Sequence, residues 1–224
     1  MSNQFSEREF RIDSRELANA IRDDALSLVY SPVMARTGYR ILCVHAQPRW
    51  SHPKFGLLDP TRVGEDQPEV RANLVGWTLR QVLDDLVLWR RQGHTFRVAL
   101  TLTPQDLKAE SQLPDWSANL NRRSLTGTDL VVEFPERALA IPSTNLNRIR
   151  EVQAHGVTVA ITQYGASDSA VHTLSSLPVS ILKVDEAIIS SMPTDETSRL
   201  MAKACLDLGY DLGLAAMAED PLYD

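Results

Sequence analysis

The chain has too few cysteines for a disulfide framework. There are two among its 224 residues, Cys43 and Cys205, each in an apolar context. Both are expected as small core hydrophobes in a reducing compartment. An excess of positive charge is missing as well. Lys and Arg number 23 against 29 Asp and Glu, a net charge of -6, which argues against direct binding to DNA. No apolar run is long enough to span a bilayer. The first residues, MSNQFSEREFRI, are charged and hold no apolar h-region, so they do not read as a secretory signal. There is no low-complexity tract. The chain also lacks a G-x-G-x-x-G, a P-loop, a C-x-x-C, an H-E-x-x-H and a nucleophile elbow. Together these absences describe a cytoplasmic protein with no membrane partner.

What is present suits a globular fold. The hydrophobic fraction is 43% and the charged fraction 23%, and the length fits one large domain. The central stretch is Ile41 to Trp50, ILCVHAQPRW, an apolar run that turns polar at its end. It reads as a buried strand presenting polar groups where it exits. Before it, Ser14 can cap a helix with Leu17, Ala18, Ala20 and Ile21 on one face. Ala25 to Tyr30 reads as a strand ended by Ser31-Pro32, and Gly38 as a turn. Ser51 to Pro68 reads as a loop.

Beyond that loop, strand and helix patterns alternate. A helix is expected from about Glu69 to Gln92, with Leu74, Trp77, Val82, Leu86 and Trp89 buried and Gly93 at its end. Strands follow at Phe96–Leu102, Asp129–Phe134, Val157–Ile161, Val179–Asp185 and Leu212–Met217. Helices are expected from Thr103-Pro104-Gln105-Asp106, at Leu146–His155, at Ser169–Leu177 and at Asp195–Leu208, the last closed by Gly209. Trp50, Trp77, Trp89 and Trp116 read as core or interface aromatics. Seven short strands with intervening helices indicate an α/β fold, mostly parallel, closer to a barrel than to an open sheet.

The order of short motifs resembles the EAL domains, which hydrolyse cyclic di-GMP. Arg49-Trp50-Ser51-His52-Pro53 with Gly56 and Pro60 looks like the family's RW-x-HP-x-x-G-x-x-x-P run. Trp89 and Gly93 fall at its W-x-x-x-G. Glu133-Phe134-Pro135-Glu136 sits at its E-x-T-E segment. Leu177-Pro178-Val179 with Leu182-Lys183-Val184-Asp185 looks like its LPV-x-x-LKID segment. The resemblance covers residues 14 to 217. It implies a modified TIM-type (β/α) barrel with an antiparallel first strand, a domain spanning 14–224 after an N-terminal segment, 1–13.

The same alignment of motifs shows departures. The family's Glu-Ala-Leu reads His45-Ala46-Gln47, the asparagine of its N-L-S reads Thr101, and its Asp-Asp pair reads Thr162-Gln163. The glutamate of A-E-G-V-E is placed at Ala215 and the glutamine of Y-Q-P at Ser31. Family members activate water between two divalent cations, which need several hard oxygen ligands. Glu133 is the acidic ligand that remains. No metal site and no cofactor are therefore expected. A lone histidine such as His45 is more often structural than a ligand.

Three readings follow from the resemblance. The first is a non-catalytic bacterial regulator that works through a protein partner. The second is a catalytically dead cyclic di-GMP receptor, with Arg49, Glu133 and Lys183 lining a remnant nucleotide pocket of weak affinity. The third is an active phosphodiesterase. Glu133 and Lys183 read first as an internal ion pair. The family continues beyond A-E-G-V-E into a helix and an eighth strand, whereas here Glu219 to Asp224 follow, read as a solvated tail. Seven strands would leave open sheet edges flanked by Leu212, Leu214 and Met217. The expectation is a homodimer or a tight heterocomplex that covers them. A second route to a dimer is the loop at Ala166 to Ser169.

Overall fold

The computed structural model describes residues 12–34, 41–64, 66–108, 112–140, 143–166 and 171–218. The chain divides into two compact units, Met1–Leu100 with Lys108–Leu125, and Thr101–Leu107 with Thr126–Asp224. The segment 1–11, the turn at Gly38, the loop residues 167–169 and the tail 219–224 lie outside the described residues.

In the first unit, helix α1 (Ser14–Arg22) is capped by Asp13, not by Ser14. The Asp13 carboxylate accepts from the Arg15 N–H at 2.9 Å, taking one of the orphan donors of the first turn. Leu17 and Ala20 are its buried face. Strand β1 (Leu26–Met34) runs antiparallel to β2 (Ile41–His52). Both are longer than the sequence suggests because each tolerates a proline. Pro32 and Pro48 lie within the paired stretch, opposite Val44 and Leu28. Among the described residues β1 pairs with β2 alone, so a missing N–H at its outer edge breaks no ladder.

The stretch expected as a loop holds a three-residue strand, β3 (Gly56–Leu58), paired with Trp50–His52. A 3₁₀ turn (Pro60–Arg62) follows it. Helix α2 (Pro68–Arg91) has proline in its first turn, where the missing N–H costs nothing, and stops before Gly93 in the left-handed region at φ 87°. Leu74, Trp77, Val82 and Leu86 are buried as expected, whereas Trp89 is half-buried. It stacks edge-on against Tyr30 at 4.8 Å.

Trp50, Trp77, Leu17, Leu26, Leu58 and Leu74 share one core cluster. Strand β4 (Arg97–Thr101) lies parallel to β2, and the short helix α3 (Trp116–Asn121) completes the unit. The helix expected from Thr103 does not form. Asp106 accepts from the Thr103 N–H and hydroxyl at 2.8 and 2.9 Å, and the capped turn closes on itself.

The second unit carries four parallel strands, β5 (Leu130–Pro135), β6 (Thr158–Tyr164), β7 (Ile181–Val184) and β8 (Ala215–Ala218). Helices α4 (Ser143–Ala154), α5 (Val171–Ser175), α6 (Glu186–Ser191) and α7 (Glu196–Asp211) connect them. α6 has no counterpart in the sequence reading. All six residues of β5 and all four of β7 are buried, which explains why each is apolar but for one charged residue, Glu133 and Lys183.

Gly209 does not close α7, which runs two residues further. It lies inside the helix because a Cβ there would come within 2.8 Å of the Ala216 Cβ. The turn out of the helix falls to Gly213, at φ 70°. The seven strands expected from the sequence are all present, and β3 is an addition. Among the described residues β8 pairs with β7 alone. No helix among them is long and apolar enough to cross a membrane.

Candidate functional site

The second unit buries an acid and a base on two strands that flank β6. Glu133, fourth residue of β5, is 2% exposed, and Lys183, third residue of β7, is 8% exposed. The Lys183 ammonium donates to Glu133 Oε1 at 2.5 Å. The Thr101 hydroxyl lies 3.5 Å from Glu133 Oε2. An ion pair this enclosed survives desolvation because each charge is the other's main compensation.

Between these strands, β6 is distorted. Its pairing with β7 is regular at Ala160 and Ile161 and resumes at Tyr164, so Thr162 and Gln163 form an irregularity. Thr162 is buried and still opposes Pro135 of β5. Gln163 is held at φ 55°, uncommon for a residue with a Cβ, and its amide oxygen accepts from Arg137 at 3.0 Å. The loop that follows is tied down by Glu136. This second acid of the E-F-P-E run is 2% exposed and accepts from the Gly165 N–H at 3.1 Å. A Cβ on Gly165 would meet Ile188 at 2.7 Å and Cys205 at 3.2 Å. Tyr164 and Cys205 flank the same carboxylate. Burial, and then the Glu136 charge, raises the pKa of both. Cys205 is thus an unreactive core thiol, as expected.

In β8, Ala215 begins the strand opposite Ile181, while Met217 and Ala218 stand opposite Lys183 and Val184, level with the buried pair.

In the first unit, β2 carries a polar row on one face at alternate positions, His45, Gln47 and Arg49. The Gln47 side chain is buried. Its amide oxygen accepts from Arg49 Nη2 at 2.8 Å, and its amide nitrogen lies 3.4 Å from His45 Nδ1. Arg49 Nη1 also donates to the Pro48 carbonyl at 3.1 Å. The half-buried guanidinium is thus oriented by its own strand. Across the ladder, Ser31 stands opposite His45 and Val29 opposite Gln47.

Of the three residues expected to line a pocket, the structure therefore joins Glu133 to Lys183, and places Arg49 in the first unit with Gln47. His52 of the RW-x-HP run is structural. It is 3% exposed, accepts from the Lys54 N–H and faces Glu16 at 3.0 Å. Gln47 and Glu136 were not singled out in the sequence. The period-two spacing of Gln47 with Arg49 was a usable signal for the first. The E-F-P-E run marked the position of Glu136 but not its part as an anchor, because its partner lies 29 residues away.

The EAL domain family model matches residues 14–220. Cyclic di-GMP phosphodiesterase NbdA of Pseudomonas aeruginosa is 32% identical over 213 residues, 91% of this chain and 27% of that protein. The oxygen sensor protein DosP of Escherichia coli is 27% identical over 210 residues, 91% of this chain and 26% of that protein. The chain thus spans about a quarter of the length of these relatives. Among solved structures, the PaMucR phosphodiesterase in complex with c-di-GMP matches with a TM-score of 0.82 at 27% identity. That match covers 94% of this chain and 87% of the other. With the motif order, the strand order and the family match in agreement, the chain belongs to the EAL domain family.

Proposed function

We propose that this EAL domain does not hydrolyse cyclic di-GMP and serves as a bacterial signalling regulator through contact with another protein. The observation that carries this reading is the ion pair of Lys183 with Glu133. With its charge balanced by an ammonium 2.5 Å from one oxygen, Glu133 is a single carboxylate, too little negative charge for two divalent cations. The residues at the family's other ligand positions do not suit two cations either. Thr101, Thr162 and Gln163 carry neutral oxygens, and His45 an imidazole better suited to zinc than to magnesium. No group of three or more His, Cys, Asp or Glu among the described residues is placed to hold a metal ion.

Arg49 supports a second reading, a receptor that binds cyclic di-GMP without cutting it. Its guanidinium is oriented by Gln47 and Pro48 and has no carboxylate partner among the described residues. Such a fork suits a phosphate. Without metals or the glutamine position at Ser31, the attraction would be weak and salt-dependent.

Calorimetry with cyclic di-GMP, with and without Mg²⁺, separates the readings. The regulator reading expects a dissociation constant no tighter than about several hundred micromolar, unchanged by Mg²⁺. A low-micromolar isotherm in either condition puts the receptor reading first.

A further inference from the structure

The polar row of β2 has a direction. A guanidinium can only donate, so the Gln47 atom that meets Arg49 Nη2 at 2.8 Å is the amide oxygen. The amide is therefore not free to flip, and its nitrogen is turned to His45 Nδ1 at 3.4 Å. An amide nitrogen also only donates. Nδ1 must then accept, and the neutral imidazole carries its proton on Nε2. A proton on Nδ1 would face the amide, donor against donor. Gln47 is 8% exposed, which leaves little water to stand in for a lost bond.

Each end of the row is changed by this order. At His45, the Nδ1 lone pair is taken by Gln47 and the Nε2 lone pair by a proton, so neither is left for a metal ion. At Arg49, the guanidinium is held by Gln47 and by the Pro48 carbonyl at 3.1 Å. Those contacts are with neutral oxygens, so its charge is not spent on them. The row thus offers donors and a positive charge where the family's Glu-Ala-Leu begins with a carboxylate. The leucine of that motif falls at position 47. It has no polar group with which to order its neighbours, so the device belongs to this chain's own glutamine.

We propose that Gln47 is a positioning residue that makes β2 a metal-free site for a phosphate anion, holding Arg49 for the anion and closing His45 to metal ions. The inference rests on the receptor reading for its ligand, the phosphodiester of cyclic di-GMP, and on the hydrogen bonds alone for the tautomer. A guanidinium already fixed loses less side-chain freedom on binding than a free one, so Gln47 adds affinity without touching the ligand. The positive charge is Arg49's own, and no divalent cation is required to bring the phosphate in.

Imidazole nitrogen NMR of the labelled chain tests this. It reads the tautomer of each of the 5 histidines, and His45→Asn assigns the signal. The wild type is expected in the Nε2–H form. Gln47→Leu releases Nδ1 and should give a mixture of both forms. Gln47→Glu accepts from Nδ1 and should give the Nδ1–H form. With Zn²⁺ as the probe, the His45 signal should stay in place in the wild type and shift in Gln47→Leu. Cyclic di-GMP titrated in EDTA should bind Gln47→Leu about three- to tenfold more weakly than the wild type. Thermal melts establish that the variants are folded. A wild-type Nδ1–H form, a tautomer unchanged in both variants, or a Zn²⁺ shift at His45 of the wild type would each overturn the proposal. A wild type without affinity for cyclic di-GMP would overturn the anion site together with the receptor reading. Binding indifferent to Gln47→Leu would overturn the proposal alone.

Discussion

Ser31 and His45 face one another across the β1–β2 ladder. The resemblance places a nucleotide-contacting glutamine at the first and a metal-binding glutamate at the second, so two departures occupy one cross-strand pair. Their effects on cyclic di-GMP should differ in sign. Ser31→Gln adds a neutral amide and should tighten binding about three- to tenfold with no metal present. His45→Glu adds a negative charge and should weaken binding to the phosphates unless a divalent cation is supplied. Titration calorimetry of both variants in EDTA checks this. Equal effects from the two would show that the pair does not face the nucleotide.

The Lys183–Glu133 pair should be costly to break and cheap to replace. Lys183→Met leaves a buried carboxylate without its counter-charge, with an expected loss of about 3–5 kcal/mol. Lys183→Met combined with Glu133→Leu should recover most of that loss. Urea denaturation of the two proteins measures it. A double variant no more stable than the single one would mean that the loss does not come from the stranded carboxylate.

Turnover of cyclic di-GMP is expected at background level with Mg²⁺ or Mn²⁺. Chromatographic detection of linear pGpG over hours provides the check. Release that scales with protein concentration and disappears in Glu133→Ala would end the non-catalytic reading.

Tyr30 donates to the Asp85 carboxylate at 2.5 Å. Burial, followed by the bond to Asp85, raises the phenol pKa above its ordinary value of 10.0. The folded value lies above the unfolded one, so this contribution is complete below pH 10 and declines as pH rises beyond it. Tyr30→Phe should lose about 1–2 kcal/mol near neutrality. The gap between wild type and variant should narrow steadily above pH 10. Denaturation midpoints from pH 8 to 11.5 would show it, and a gap constant to the highest pH would refute the assignment.

Strand existence was legible because burial writes itself as short, mostly apolar stretches, as at Leu130–Phe134 and Ile181–Val184, each broken by one charged residue. Boundaries were less so. Pro32 and Pro48 look like strand ends, yet one lies at an outer edge and the other within a ladder that tolerates it. Thr103 to Asp106 carries a helix-start signature, but the capped turn stops there, since a cap satisfies one turn without supplying a face to bury. The Lys183–Glu133 pair was foreseen from motif order. The anchoring of Gly165 by Glu136 was not, because periodicity says nothing of partners distant in sequence.

The irregular turn at Thr162 and Gln163 has a practical consequence. Gln163 keeps a left-handed backbone that asparagine, aspartate or glycine adopts more readily. Side chains there can be exchanged without asking the main chain to find a new path. An engineer wishing to install acids on this strand exit would start from a mould already cast, and Gln163→Asp would relieve the backbone while adding the charge.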